Sequence, residues 1–169
     1  MAEVWNPPPF DDISTSELVT AAYLNKLGNS LRFLKEVAYT SWSSNVSVTA
    51  TTEGTANSLA STGAITYENV PHLIEVFSPK CTPPASGVQM FVTLYDSTTV
   101  IGRFVTAEVN ATGAIGLPFY VGHRLVPSAA SHTYNVKAHV ISGTGTMAGG
   151  AGGSAAFLPG FIRITRVPT

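Results

Sequence analysis

The spacing of apolar residues changes once along this chain, near residue 44, and the change indicates the fold class. Beyond that point apolar residues alternate with Ser and Thr at the period of a β-strand. Before it lies the seam of an amphipathic helix that packs on copies of itself or on a neighbouring body, with spacings of three and four residues. The seam consists of Leu24, Leu27, Leu31, Leu34 and Ala38. A short self-associating helix ahead of strands is typical of fibrous or decorating assembly proteins, not of metabolic enzymes.

The first segment, residues 1–13, is predicted to be an extended arm. Its run of prolines, residues 7–9, excludes a helix there. Trp5 and Phe10 flank the prolines, and aromatic side chains on such an arm are expected to dock on the chain's own body or on a neighbouring subunit. The helix that follows is expected to end near Val37 or Tyr39. We therefore assign attachment and oligomerisation to Trp5, Phe10, Leu24, Leu27, Leu31 and Leu34.

The remainder of the chain predicts eight or so short strands separated by turns rich in Gly, Pro and Ser. This pattern favours an antiparallel β-sandwich or jelly roll over alternating strands and helices. We accordingly divide the chain into an arm-and-helix segment, residues 1–43, and a β domain, residues 44–169. The clearest strands are Leu73–Phe77 and Val88–Tyr95. Further strands are predicted from Val100–Val105 onward, at Phe119–Val121, Thr133–Ile141 and Phe161–Val167.

Composition limits the partners and the compartment. Charged residues make up 11% of the chain, against ~25% in an average domain, so hydroxyl groups and backbone must form much of the surface or partners must cover it. The net charge of −1, with no basic run, gives no electrostatic signal for nucleic acid. No apolar run approaches the length of a membrane span, and the first residues lack the pattern of a signal peptide. We expect a protein that is made in a cytoplasm and stays soluble or leaves as part of a particle, with no membrane insertion.

Two segments could suggest chemistry, and neither fits its motif. The glycine-rich stretch 143–153 lacks the Gly-Lys-Ser/Thr ending of a phosphate loop, so we interpret it as a place where another backbone approaches closely. Cys81 lies between prolines, which predicts a loop, and it has no neighbour that would make it a nucleophile.

The titratable residues also predict no site. His72, His123, His132 and His139 have no Cys, Asp or Glu at a metal-ligand spacing, and strand faces or loops are expected to hold them. A Ser-His-Asp group stays open because its members need not be close in sequence, although no Gly-x-Ser-x-Gly turn supports one. We therefore expect no catalytic residue, no cofactor and no metal, and we do not expect an enzyme.

Several segments resemble known families. Trp5 with the proline-rich arm, Val19–Asn25 and Asn29–Leu34 resemble a leader of tailed-bacteriophage structural proteins. Ser131–Ala138, the glycine-rich stretch and Pro159–Val167 resemble the compact jelly-roll domains of the complement and tumour-necrosis-factor kind. The resemblance implies a homotrimer of jelly rolls on a virion, at the tail tip, on a fibre or on the capsid surface.

These observations together predict a structural protein of a bacteriophage particle. We expect a homotrimeric tail-associated fibre or tip protein, held by its arm and helix to other virion proteins. One alternative is a capsid decoration protein that stabilises the head. Another is a module that binds a host-surface glycan or receptor, which would need two or three exposed aromatic rings on one face. For Tyr95, Phe104, Phe119, Tyr120 and Tyr134 the default expectation is packing in the core.

Overall fold

The described part of the computed structural model, residues 35–109 and 116–167, is almost entirely β-structure. It contains twelve strands and one turn of 3-10 helix, Glu53–Thr55. The strands are β1 (Glu36–Trp42), β2 (Val46–Val48), β3 (Asn57–Ser61), β4 (Ile65–Thr66), β5 (His72–Thr82), β6 (Met90–Asp96), β7 (Thr99–Ala107), β8 (Leu117–Leu125), β9 (Ser131–His132), β10 (Tyr134–Val140), β11 (Gly145–Met147) and β12 (Gly160–Arg166).

The larger sheet is built around the long strand β5. One edge of β5 pairs with β8 from His72 to Cys81. Its other edge pairs first with β12 and then with β11, while β1 pairs with β12 and β2 pairs with β11. All of these pairings are antiparallel. The six strands therefore form a sheet four strands wide, in which β1/β2 and β11/β12 each act as one interrupted strand.

The smaller sheet has the order β3-β10-β6-β7, again antiparallel, and β4 pairs with β9 in a separate ribbon. The inward faces of the two sheets enclose the core, and β12 shows the period of a strand most clearly, since Gly160, Ile162 and Ile164 are buried and the residues between them are partly exposed. The largest fully buried side chains include Ile74, Met90, Leu94, Met147, Ile162 and Ile164.

The predicted helix is wrong where the structure describes it. Glu36–Trp42 is a strand, and residues 36–42 therefore belong to the larger sheet. Ala38, assigned to the helical seam, faces the core of the sandwich instead. The pairing with β12 outweighs a weak local helical pattern that holds a glycine, Gly28, in its centre. The rest of the helix and the arm lie outside the described residues, and the separate role of that segment stays a prediction.

The position of Cys81 also corrects a prediction. The prolines around it indicated a loop, but Cys81 lies in β5, is buried, and has its pKa raised to about 12 by that burial. Pro79 is tolerated in this strand because the pairing with β8 shifts register between Ser78 and Cys81. A proline has no N–H to donate to the ladder, and such an irregularity is where a strand accommodates it.

The glycine-rich stretch is confirmed as a place of close approach. A Cβ at Gly150 would overlap the backbone of Phe157, and one at Gly149 would overlap the ring and the carbonyl oxygen of Trp42. The Trp42 indole Nε1–H donates to the carbonyl oxygen of Ala148 at 3.0 Å, which holds the ring in that space. Glycine is required here by contact with neighbouring atoms rather than by a phosphate.

None of the described residues forms a helix with the length and apolar character needed to cross a bilayer.

Candidate functional site

The residues predicted for attachment lie outside the described part of the chain. Trp5, Phe10, Leu24, Leu27, Leu31 and Leu34 all precede Lys35, so their role stays a prediction. The candidate site of the β domain lies instead on its larger sheet, where side-chain packing brings four strands together.

Four aromatic side chains lie on the outer face of the larger sheet, one on each strand across its width. Phe161 on β12 pairs with Phe77 on β5, which pairs with Tyr120 on β8. Tyr39 on β1 lies diagonally beside Phe161. Because residues directly opposite in antiparallel strands point to the same side, these rings form one surface. We call Tyr39, Phe77, Tyr120 and Phe161 the aromatic face.

The aromatic face is packed at its centre and exposed at its ends. The ring of Phe161 lies 5.5 Å from that of Tyr39 and 5.6 Å from that of Phe77, in tilted arrangements. These distances fall in the range where aromatic pairs attract each other beyond simple burial. Tyr39 and Tyr120 are 51% and 57% exposed. The surface therefore ends in two amphipathic rings, one on each edge strand of the sheet.

A carboxylate lies in the middle of this surface, and its hydrogen-bond partners come from both sides. The Tyr120 hydroxyl donates to one oxygen of Glu75, and Arg163 Nε–H donates to the other at 2.9 Å. Glu75 is buried although it faces outward. This hydrogen bond and the charge of Glu75 raise the pKa of Arg163. The polar groups of the face are thus largely engaged with one another.

The outer face of the smaller sheet is organised in the same way but is covered. Phe91 and Tyr95 on β6 are buried there, with Arg103 4.0 Å above the Phe91 ring and Lys137 4.7 Å above the Tyr95 ring. Glu53 lies over the strand, where its carbonyl oxygen accepts a hydrogen bond from the Tyr95 hydroxyl at 2.7 Å. The chain covers this face with its own turn of 3-10 helix.

A Ser-His-Asp group, which the sequence left open, is present at one end of the sandwich. His132 Nδ1 lies 2.5 Å from Asp96 Oδ2, and Nε2 lies 3.0 Å from Ser128 Oγ. The same nitrogen, however, is 3.2 Å from the carbonyl oxygen of Ser128, so the ring is held by both groups of that residue. Ser128 lies in the connection before β9, and His132 is the second residue of β9. The contacts tie this connection to the turn between β6 and β7, and we assign them a structural role.

Sequence reasoning missed most of the aromatic face. Tyr120 was expected in the core and is exposed, so that prediction is wrong, whereas Tyr95 and Tyr134 are buried as expected. In the structure, alternation along β12 places Phe161, Arg163 and Thr165 on one side of the strand. Phe77, Tyr39 and Tyr120 come to lie beside this side of β12 because of the strand register. This register pairs segments that are up to about 120 residues apart in sequence, so it cannot be recognised from a local sequence pattern.

Comparisons with known proteins show no family. No family model matches the chain, and no curated protein matches it. Several solved structures are similar over most of its length. The C-terminal domain of EclA, described as a sugar-binding protein, is 11% identical over 73% of this chain and 76% of that chain, with a TM-score of 0.34.

Two other structures have similar scores. A carbohydrate binding module from Cellvibrio mixtus lichenase 5A, in complex with cellotriose, is 16% identical over 79% of this chain and all of its own, with a TM-score of 0.35. A pentameric capsid protein from metagenomic phage sequences is 12% identical, with a TM-score of 0.34, over 95% of this chain and 85% of its own. Scores this low support no argument about function.

Proposed function

We propose that this chain is a structural protein of a bacteriophage particle that assembles as a homotrimer through the aromatic face. The observation behind the proposal is a row of aromatic rings on the larger sheet, exposed at both ends, with its charges paired internally. Interfaces are enriched in Tyr, Phe and Arg, and Lys, Glu and Asp are depleted at their centre. The face has the aromatic rings and Arg163, and its one carboxylate, Glu75, is paired with that arginine.

The composition of the described surface also supports assembly. Nine large apolar side chains are exposed among residues 35–109 and 116–167, and two of them, Tyr39 and Tyr120, belong to the aromatic face. Apolar side chains that are exposed singly are ordinary on a protein surface, so the aromatic face is what indicates a place where another body binds. With 11% charged residues, the chain has few groups that would keep such a surface in water. Burial of the exposed apolar side chains between copies of the chain would remove them from water.

We further propose that the fold is a jelly roll. Taking β1/β2 and β11/β12 as one strand each, and leaving out the short ribbon, eight strands remain. The first then pairs with the eighth, the second with the seventh, the third with the sixth and the fourth with the fifth. A long hairpin rolled up on itself has this order. This strand pairing supports the resemblance to trimeric jelly-roll domains. We propose three subunits per assembly because of that resemblance.

The proposed position on the virion is based on the N-terminal segment, residues 1–43. The arm and the first helical segment resemble those of tailed-phage structural proteins, and we propose that they attach the trimer to the tail. Capsid decoration is the alternative. Counting copies in purified particles separates the two, because a decoration protein follows the number of capsid subunits and a tail protein does not. We assign no catalytic role to the chain.

Binding of a host glycan is the second candidate function, favoured by the two exposed tyrosines. Sugar sites combine an exposed ring with free hydrogen-bonding groups. Here Glu75, Arg163 and the Tyr120 hydroxyl already bond to one another. A glycan array with the native chain and the Tyr120→Ala variant tests this candidate, and binding that depends on Tyr120 would favour it over assembly.

The assembly proposal is tested by measuring mass with light scattering after size exclusion. The native chain is expected at three times the mass of one chain, and Tyr39→Asp at the mass of one or in concentration-dependent exchange. Ile141→Asp is the matched control, since Ile141 is 54% exposed and lies off the aromatic face. A native chain at monomer mass, or a Tyr39→Asp variant at unchanged mass, would overturn the proposal.

A further inference from the structure

We propose that the two edge strands of the larger sheet pair with each other between copies, β8 of one copy with β1 of the next. The inference deepens the proposed assembly and rests on it, because it states which strands meet when the aromatic faces of the copies come together. The partner is therefore a second copy of this chain, and the contact involves the backbone and the outward side chains of two described strands.

Both strands have an edge without a partner strand. β1 pairs with β12 and β8 pairs with β5, and neither pairs on its other side within residues 35–109 and 116–167. β1 is seven residues long and β8 is nine. The unpaired N–H and C=O groups of such an edge are a template for another strand, and native proteins usually protect them. The larger sheet can therefore be extended at either side.

The directions of the strands allow the two edges to meet. Each pairing across the larger sheet, β8 with β5, β5 with β12 and β12 with β1, is antiparallel. β1 and β8 therefore run in opposite directions. A copy that is rotated about an axis along the strands keeps its strand directions, so β1 of one copy meets β8 of the next as a further antiparallel pair.

The register of the sheet shows which residues of the two edges lie in the same row. Glu36 on β1 pairs with Thr165 on β12. Thr165 pairs with Leu73 on β5, and Leu73 pairs with Arg124 on β8. Glu36 and Arg124 therefore lie in one row at opposite edges of the outer face, three strand spacings or roughly 14 Å apart.

This row joins opposite charges between copies. Glu36 and Arg124 are both exposed, and neither forms an ion pair with another described residue. Two strands separate them within one copy. When β8 of one copy pairs in the same row with β1 of the next, Arg124 directly faces Glu36. Opposite charges at facing positions of neighbouring strands stabilise the pairing.

The two rows below it match in size. Tyr39 lies in the row of Gly122, and Ser41 lies in the row of Tyr120. The bulge that follows Glu36 keeps it on the same side of β1 as Tyr39 and Ser41. Each ring thus faces a residue with a small side chain or none, and a ring beside a glycine supplies packing that the glycine lacks. A shift by one row in either direction separates the opposite charges and moves the Tyr39 ring off the glycine.

The resulting contact is head-to-tail, because it joins different edges of two copies. Such a contact forms a ring when the rotation from copy to copy closes. Bending of the extended sheet toward the aromatic face turns the faces of three copies toward the axis, where they cover one another. One contact therefore removes both free edges and buries Tyr39 and Tyr120, which are more than half exposed in the single chain.

The test is disulfide formation in a full-length variant that carries both Glu36→Cys and Arg124→Cys, called the paired-cysteine variant. A disulfide needs Cα atoms within about 7 Å, so the two cysteines cannot join within one copy. Oxidation of the assembled protein should link each copy to the next and give products of up to three chains on a denaturing gel. Cys81 does not interfere, because it is buried and its pKa is raised to about 12.

Two comparisons make the result specific. Glu36→Cys combined with Ile141→Cys, at an exposed position outside β1 and β8, should give about tenfold less linked product. Gly122→Val added to the paired-cysteine variant should also lower the yield about tenfold, because the new side chain occupies the place of the Tyr39 ring. Within one copy a Cβ on Gly122 lies 3.4 Å from Leu73 Cδ1, an ordinary contact. Gly54→Val, at a glycine with open space around it, is the control and should leave the yield unchanged.

The outcomes separate this inference from the assembly proposal. A trimeric native mass with no linked product, or with equal yields from the paired and the control cysteines, would overturn the edge pairing alone. Linked products that extend beyond three chains would overturn the closed ring. A native chain at monomer mass would overturn the assembly proposal, and the edge pairing with it.

Discussion

The outer faces of the two sheets carry similar side chains, but one face is covered by the chain and the other is exposed. Each has aromatic rings in the centre of a sheet, with an arginine over one of them. On the smaller sheet Phe91 and Tyr95 are 8% and 4% exposed. On the larger sheet Tyr39 and Tyr120 are more than half exposed. The difference is that residues Thr52–Thr55 cross one face, while no described residue crosses the other.

The covered face shows what this chain does with an apolar surface that it keeps for itself. A connection between two strands turns over it, Glu53 accepts the Tyr95 hydroxyl, and Arg103 and Lys137 lie on the rings. The aromatic face has the rings and the arginine but lacks the cover. A partner that supplies the cover accounts for the difference, and we propose that this partner is another copy.

The largest expected effect comes from removing one ring from each face. Phe91→Ala deletes a ring covered by the chain itself and should lower the free energy of unfolding by about 3 kcal/mol, as large-to-small core changes do, without changing the assembled mass. Phe161→Ala should give the reverse pattern, with a smaller loss of stability and dissociation to monomers. Denaturant unfolding at one protomer concentration, together with light scattering, measures both. An assembled mass that survives Phe161→Ala would contradict the comparison.

A smaller effect is expected at the carboxylate of the aromatic face. Glu75→Gln removes the charge that Arg163 and the Tyr120 hydroxyl bind, which should lower the free energy of unfolding by about 1–2 kcal/mol; this is below the value for a fully buried pair because Arg163 is partly exposed. Glu68→Gln is the control, since its ion pair with Arg166 lies at an exposed carboxylate. If Glu75→Gln and Glu68→Gln lowered the free energy of unfolding equally, the aromatic face would not shield Glu75 from solvent.

The smallest effect concerns pH and the covered face. Burial, and then the charge of Arg103, lower the pKa of His139 from its ordinary 6.5, while Glu53 acts in the opposite direction. The unfolded chain therefore takes up the proton first as the pH falls. Stability from this residue is complete above the unfolded pKa and is lost as the pH falls from there toward the lower folded pKa.

His139→Asn should remove part of that loss between about pH 7 and 5.5, when the free energy of unfolding is followed by denaturant titration. His72, whose pKa is also lowered by burial, contributes a loss of stability in the same direction. Thr106→Asn, at an exposed position of β7 with no titratable group, serves as the control and should leave the loss in place. A His139→Asn variant with the native pH profile would contradict the assignment.

The strands could be predicted from the sequence because their signal is local. Alternation located Leu73–Phe77, Val100–Val105 and Phe161–Val167, and the structure has a strand at each of these places. Ser97, between the predicted strands Val88–Tyr95 and Val100–Val105, adopts a positive φ of 55°, as a tight turn allows. These features depend on neighbouring residues alone.

The failures depend on contacts distant in sequence. The strand at Glu36–Trp42 forms because β12, more than 110 residues later, pairs with it, and this tertiary contact outweighs the helical spacing of Leu34 and Ala38. Pro79 was interpreted as part of a loop because the register shift that accommodates it appears only when β8 is in place. The aromatic face was missed for the same reason, since its members come from four strands.

The most direct test of the central claim is to measure solvent access at the aromatic face in the native protein. Hydroxyl-radical footprinting at a concentration where the protein is assembled compares Tyr39 and Tyr120 with Phe157, which is 46% exposed and lies on the glycine-rich connection. We predict strong protection of both tyrosines, normal reaction at Phe157, and loss of the protection on dilution to monomers. Tyrosines that react at every concentration as their exposure in the single chain implies would contradict the claim.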